Sequence, residues 1–297
     1  MWQNFAHCDI GSLAESGLGN QIPRILRGRV AAPEKNWNRV MKWISSLVAA
    51  AGLAALLAAP AAAQSNLEQI KSAGALKIGT EGTYPPFTYH DASGALVGFD
   101  VEIGREVAKR LGVEAQFLEG KWDGLIAGLD ASRYDAVINQ VGITEERKRK
   151  YDFSEPYIAS KAVLIVKTDN EDIKDFADLA GKRSAQSLTS NFGKLAEQNG
   201  AQLVGTDGFD QSIQLVLQGR ADATINDSLS FYDFKKQKPD APVKIAAQQE
   251  NAEYSGIIIR KNEPDLLAAI NKALEDMQAD GTYKKIAETY FGADVSQ

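Results

Sequence analysis

From about residue 64 onward, short apolar runs alternate with stretches whose apolar residues recur every three or four positions. Ala75 to Thr80 reads as a buried strand. Val101, Gly104, Ala108 and Leu111, with Ile103 and Val107 beside them, form one helical stripe that Gly112 stops. The pattern then predicts a strand at Glu114 to Phe117, a helix at Gly124 to Leu129, a strand at Ala136 to Asn139 and a strong strand at Ala162 to Val166. A second series follows. Ile173 to Ala180 reads as a short helix ended by Gly181, and Arg183 to Gln186 as a strand. Helices are predicted at Asn191 to Gln198, Asp210 to Gln218 and Ser228 to Lys236, with strands at Gln202 to Val204 and Ala223 to Ile225 between them. Gly256 to Arg260 is a last strand, and Leu266, Leu267, Ile270, Leu274 and Met277 mark an amphipathic helix. Alternation of this kind predicts an α/β protein with mostly parallel sheets. Ligands of such sheets sit beyond the carboxyl ends of the strands, here just after Gly79, Asn139, Gln186 and Asn226.

The first 63 residues follow no such pattern. Met41-Lys42-Trp43 is a short basic start, Ile44 to Leu57 is apolar and uncharged, and Ala61-Ala62-Ala63 supplies small residues. That is the order of a secretory signal peptide, with cleavage expected after Ala63 and a mature start at Gln64. The apolar run is shorter than the roughly 20 residues of a membrane span. Residues 1–40 are polar and irregular and point to an initiation codon assigned upstream of the true start at Met41. The expected destination is the periplasm.

Composition narrows the function by exclusion. The 297 residues are 44% hydrophobic and 24% charged, a globular balance. A net charge of −6 argues against a general nucleic-acid binder. One cysteine, Cys8, rules out an intrachain disulfide, and two histidines leave little for a metal site, so neither metal nor cofactor is expected. No GxxxxGK[ST] or strand-anchored GxGxxG occurs, which argues against a nucleotide enzyme.

Several stretches carry chemistry at the expected strand ends. In Thr80-Glu81-Gly82-Thr83-Tyr84-Pro85-Pro86-Phe87, two prolines fix the backbone and present Tyr84 and Phe87. Asp100 and Glu102 fall in the first turn of a helix and read as caps and surface charge. Arg147 offers a planar fork suited to a carboxylate, although composition alone makes it a surface residue of the polar run Glu145 to Lys150. Thr189-Ser190-Asn191-Phe192 opens a helix, where free N–H groups bind anions or take an ordinary cap. Asp227 likewise reads either as a helix cap or as an acid facing a ligand. His90 lies in a turn-like stretch and forms no pair with a nucleophile, so no catalytic residue is expected.

Gly98 to Ile103, Gly142-Ile143-Thr144-Glu145-Glu146-Arg147 and Asp152-Phe153-Ser154-Glu155-Pro156-Tyr157 resemble the periplasmic amino-acid-binding proteins of ABC importers. Within that family the chain is most similar to the cystine-binding branch. The stretches Glu81 to Phe87, Lys121-Trp122-Asp123-Gly124, Ile138-Asn139-Gln140-Val141, Lys150 to Ser154 and Phe291-Gly292-Ala293-Asp294-Val295 carry that likeness. The resemblance implies a two-lobed fold, each lobe a mostly parallel sheet flanked by helices, hinged by two crossover strands near Val166–Asp169 and Asn251–Glu253. Lobe 1 would be residues 64–166 plus 253–297, and lobe 2 residues 167–252. It implies a monomer that captures an amino acid, L-cystine favoured, and delivers it to a membrane ABC permease and its ATPase.

The same resemblance assigns roles in the cleft. Arg147 stands at the family's carboxylate-binding arginine, with the N–H of Gly142 as a second donor and Ser190 and Asn191 as contacts from lobe 2. Asp227 matches the acid that pairs with the α-ammonium, and Trp122 and Tyr84 the aromatics that sandwich the side chain. Glu81 sits where binders of basic amino acids carry an acid, which suits the second amino-acid end of cystine. Asn139, Gln140, Ser187 and Phe192 complete the implied ligand set. Gly142 replaces a common Ser or Thr, and Thr189 a common Gly, so another polar amino acid such as glutamine stays open. Two other classes also stay open: a same-fold enzyme such as a cyclohexadienyl dehydratase, and a sensor domain of the same fold.

Overall fold

The computed structural model describes residues 66–296. The expected signal peptide, with Met41, Ala63 and Cys8, lies outside the described residues. Helix α1 (Asn66–Ala73) leads through Gly74 into strand β1 (Ala75–Thr80), which is buried from Ile78 onward, as a central parallel strand is. Three short antiparallel strands, β2 (Thr83–Tyr84), β3 (Thr88–His90) and β4 (Leu96–Val97), then bring the chain to α2 (Phe99–Leu111). Its apolar stripe is buried, and Gly112 ends it in the left-handed conformation with its N–H closing on Ala108 and Lys109.

The first lobe continues through β5 (Glu114–Glu119), α3 (Trp122–Asp130), β6 (Ala136–Val137), α4 (Glu145–Lys150) and β7 (Tyr151–Phe153). Strand β8 (Ile158–Ser160) leads out, and β9 (Ala162–Lys167) opens the second lobe. There the chain forms a 3-10 turn at Phe176–Leu179, then β10 (Arg183–Gln186), α5 (Asn191–Gln198), β11 (Gln202–Gly205) and α6 (Phe209–Leu217). It closes with β12 (Thr224–Asp227), α7 (Ser228–Gln237) and β13 (Val243–Gln248). Strand β14 (Glu253–Ser255) returns to the first lobe, which ends with β15 (Ile258–Arg260), α8 (Pro264–Ala279) and α9 (Thr282–Phe291).

The first sheet has the order β5-β1-β6-β15-β7, with β15 alone running against its neighbours. In the second lobe β10 pairs with β11 in parallel, and a Ser184–Ala223 bridge joins them to β12-β9-β13, in which β9 runs against both neighbours. Each lobe thus contains one reversed strand, the one by which the chain arrives from the other lobe. The two links, β8 and β14, pair with each other antiparallel, from Glu253–Ser160 to Ser255–Ile158.

This placement corrects the crossing expected at Val166–Asp169. The chain leaves the first lobe at Ile158–Ser160, and Ala162 to Val166 belongs to the sheet of the second lobe. Five consecutive buried residues told of burial on both faces but not in which sheet. The return falls at Glu253–Ser255, overlapping the expected 251–253 only at Glu253.

Two features hold the loops that carry the site. The first turn of α2 is capped by main chain, since Phe99 N–H donates to Pro86 O (3.0 Å) and Asp100 N–H to Phe87 O (2.9 Å). Gly98 makes that approach possible: its φ is 132°, and a Cβ there would lie 2.2 Å from Phe87 O. Asp100 also departs from its expected capping role. Its carboxylate is fully buried and accepts from Gln140 N–H (2.8 Å), Gln140 Nε2 (2.9 Å) and the Tyr157 hydroxyl (3.0 Å), which fixes the loop after β6. Burial pushes that carboxyl up to about 7.

Gly98→Ala is expected to lower stability by about 2–5 kcal/mol, from left-handed strain and the clash with Phe87. Gly124→Ala, in α3 with open space around the added methyl, is expected to raise it by about 0.5–1 kcal/mol. Urea unfolding of the two variants measures both.

Candidate functional site

A cavity lies between the lobes, with about 470 Å³ of space not filled by protein atoms. The first lobe contributes Glu81, Tyr84, Trp122 and Gln140 to its wall. The second contributes Gln186, Ser187, Ser190, Asn191, Phe192, Gly208, Phe209, Ser212 and Asn226. Eight of the twelve expected residues are therefore brought together: Glu81, Tyr84, Trp122, Gln140, Ser187, Ser190, Asn191 and Phe192.

The other four stand close behind the wall. Asn139 serves Glu81: its Oδ1 accepts the Glu81 N–H at 2.7 Å, and its Nδ2 donates to Glu81 Oε2 at 2.6 Å. Desolvation raises the Glu81 carboxyl to about 7, more than the hydrogen bonds from Asn139 and the Trp122 N–H lower it. Arg147 lays its guanidinium 5.3 Å from the centre of the Trp122 ring and donates from Nη1 to the Gly142 carbonyl at 2.9 Å. Burial lowers its pKa, against the pull of Glu146 and Glu253. A Cβ at Gly142 would lie 3.5 Å from Asn191 Nδ2 and 3.6 Å from Arg147 Nη1, ordinary contacts that leave room for the side chain the family often has there.

Asp227 stands behind the wall at the end of β12. It does not line the cavity. It caps α7 by accepting the Leu229 N–H at 2.8 Å, and it hydrogen-bonds the Ser160 hydroxyl beside the crossing strand. Burial raises its carboxyl to about 6. Its neighbour Asn226 faces the cavity instead and accepts the Tyr84 hydroxyl at 2.7 Å. The strand-end rule pointed to the segments just after Gln186 and Asn226, whereas the last strand residues themselves, Gln186 and Asn226, also line the cavity. Gly208, Phe209 and Ser212 at the start of α6 gave no signal of their own, because they read as one more amphipathic helix.

Ser190 is the N-cap of α5: its Oγ accepts the Gly193 N–H at 2.9 Å and donates to Ser187 O at 2.8 Å. Asn191, the first residue of that helix, donates from Nδ2 to Glu253 Oε2 at 2.7 Å. Arg147, Trp122, Asn191 and Glu253 thus form one polar cluster beside the cavity.

Contacts between the lobes ring the cavity. The Asp123 carboxylate accepts from Thr189 N–H (2.9 Å), Thr189 Oγ1 (2.8 Å) and, more weakly, Leu188 N–H (3.3 Å). Thr189 is therefore a rim residue joined to the facing lobe, not a bar to ligand approach. Lys121 pairs with Asp207 at 2.6 Å, Lys194 pairs with Glu146, and Ser230 Oγ donates to Pro85 O at 2.9 Å. His90 is turned from the cavity towards Gly82 O and Glu119.

Comparison with known proteins accounts for this arrangement. Residues 76–293 match the family described as bacterial extracellular solute-binding proteins, family 3. The L-cystine-binding protein TcyA of Bacillus subtilis (strain 168) is 48% identical over 229 residues, covering 77% of this chain and 85% of that protein. The L-cystine solute receptor of Neisseria gonorrhoeae, solved in an unliganded open conformation, is 48% identical over 79% of this chain and 100% of that one, with a TM-score of 0.53. An ancestral arginine-binding protein bound to arginine is 41% identical over 73% of this chain and 98% of that one, with a TM-score of 0.69. The nearer sequence has the more distant shape, as a different angle between the lobes produces, and the contacts ringing the cavity mark this structure as closed. With its two lobes, paired crossing strands and interlobe cavity, the chain belongs to the family-3 bacterial extracellular solute-binding proteins.

Proposed function

We propose that this protein captures L-cystine in the interlobe cavity, outside the cytoplasmic membrane, and presents it to an ABC permease. Glu81 is the observation that carries the ligand assignment. An amino acid bound through its α-carboxylate at Arg147 and Asn191 can set its α-ammonium towards Asp227, buried just behind the wall, and then needs no further acid. Here a buried carboxyl, braced by Asn139, lines the cavity and suits a ligand with a second charged end. The cystine-binding relatives support the same reading. So does the aromatic character of Tyr84, Trp122, Phe192 and Phe209, which favours a disulfide body between polar ends. The second reading is arginine, whose guanidinium also satisfies Glu81 and which the ancestral relative holds.

The reading is one of binding rather than catalysis. The family match and the L-cystine-binding relatives support that reading. The signal peptide expected over residues 41–63 gives the route out of the cytoplasm, and the paired crossing strands give the hinge for capture and release.

In the chain cut after Ala63, Trp122 is the single tryptophan. L-Cystine is expected to quench and shift its emission saturably, with one site per chain, and dithiothreitol to reverse the change by reducing the ligand. L-Arginine and L-glutamine are expected to be much weaker. If cystine leaves the emission unaltered while arginine shifts it, the second reading takes its place.

Arg147→Ala is expected to weaken cystine binding by about two to four decades, the equivalent of about 3–5 kcal/mol for one member of a buried charge pair. A loss below about fivefold by calorimetric titration would return Arg147 to the surface.

The elevated Glu81 pKa sets a pH dependence. An ammonium placed on Glu81 favours the carboxylate, so binding near pH 7 releases protons and affinity rises as pH increases through about 7. For folding without ligand the sign is opposite. A carboxyl raised from 4.5 to about 7 contributes stability below about pH 4.5 that is lost as pH rises through about 7. Calorimetry in buffers of different ionisation enthalpy is expected to show proton release that disappears in Glu81→Gln.

A further inference from the structure

Two buried polar atoms in the cavity wall have no hydrogen-bond partner among the described residues: Trp122 Nε1, a donor, and Gln140 Oε1, an acceptor. Their residues are 8% and 9% exposed, and both line the cavity. Buried polar groups in folded proteins are almost always paired, so two unpaired atoms of opposite kind in one wall call for a partner.

Neither atom is free to turn away. The indole body belongs to the buried cluster that includes Leu125, Leu129, Tyr134 and Val141. One face of its ring is taken by Arg147, and its main-chain N–H lies on the Glu81 carboxyl. Trp122 therefore stands between the two charged groups assigned to the ligand. Gln140 is held in a left-handed conformation (φ 52°), with its N–H and Nε2 both on Asp100. Flipping that amide would set Oε1 against a carboxylate, so Oε1 is fixed as the free acceptor.

We propose that Trp122 Nε1 and Gln140 Oε1 read the second amino-acid end of a dipolar ligand. The indole N–H donates to its carboxylate, and the amide oxygen accepts from its ammonium beside Glu81. Trp122 then determines specificity through its edge, in addition to its ring face. This assignment rests on the cystine reading above. It gives the site a means of rejecting a ligand with one amino-acid end: the shorter ligand leaves both atoms buried and unpaired, which is costlier than the loss of a contact.

Calorimetric titration of the full chain against three ligands tests it. L-Cystine carries both groups at its far end. The mixed disulfide of cysteine with 3-mercaptopropionate keeps the far carboxylate alone, and S-methylthio-L-cysteine keeps neither. Trp122→Phe is expected to weaken cystine and the mercaptopropionate disulfide by about ten- to a hundredfold, the loss for one hydrogen bond to a charged group. S-methylthio-L-cysteine also feels the smaller ring face under Arg147, but its loss is expected to be at least about tenfold less than that of the other two ligands. Gln140→Met also removes the Nε2 bond to Asp100, so its expected mark is a loss for cystine at least about tenfold larger than for the mercaptopropionate disulfide.

Equal losses for all three ligands in either variant would make that residue a packing element and overturn its part of the assignment. An unaltered protein that binds cystine no better than S-methylthio-L-cysteine would overturn the whole. If the unaltered protein binds no cystine at all, the cystine reading has failed and the assignment falls with it, a result visible before any variant is made. Should Trp122→Phe not fold, benzothienylalanine at 122 keeps the ring and removes only the N–H.

Discussion

Two antiparallel strands of three residues each carry the chain between the lobes, and every contact across the cavity depends on how they pair. Because β8 and β14 hydrogen-bond to each other, the lobes are joined by the chain along one edge and elsewhere only by the non-covalent contacts that ring the cavity. Closure brings together groups far apart in sequence: Tyr84 with Asn226, Asp123 with Thr189, and Asn191 with Glu253. Two residues at the hinge also take part in the polar network. Ser160 hydrogen-bonds Asp227, and Glu253 accepts from Asn191. The joint is thus tied to the residues that form and back the wall.

Three buried carboxyls cluster around the cavity, each pushed upward chiefly by desolvation: Glu81 and Asp100 to about 7 and Asp227 to about 6. Their partners differ in kind. Asp100 is saturated by three protein donors and acts as a brace for Gln140. Asp227 ties a helix start to the hinge. Glu81 alone among them lines the cavity, so its cost of burial is the one a ligand can offset.

Elements set by periodicity or by a local stop signal were legible in the sequence. Asn191–Gln198 and Arg183–Gln186 stand where the pattern put them, and Gly112 ends α2 as expected. Helix α4, Glu-Glu-Arg-Lys-Arg-Lys, half-buries Arg147 and has no apolar residue, so no apolar period announced it. Helix α9 escaped for a related reason: its buried residues, Tyr283 and Ala287, are too few to set a stripe. Partners distant in the chain were beyond local pattern altogether. Asp100 looks like a cap because acids in a first turn usually are, and only the arrival of Gln140 and Tyr157 makes it a buried brace. The same holds at Asp227, where a cap and a ligand-facing acid share one sequence, and the backbone turn at the end of β12 decides that Asn226 faces inward.

The rim ion pairs carry a further consequence. Lys121 and Asp207 are 71% and 61% exposed, and Lys194 and Glu146 are about half exposed. Such pairs contribute about 0–1 kcal/mol each and weaken as salt shortens the Debye length, about 8 Å at physiological ionic strength. The hydrogen bonds inside the cavity are shielded from that screening. Salinity of the surrounding medium therefore acts on the rim and leaves the buried groups of the cavity wall nearly untouched, so a saltier environment is expected to loosen the closed arrangement before it alters the wall.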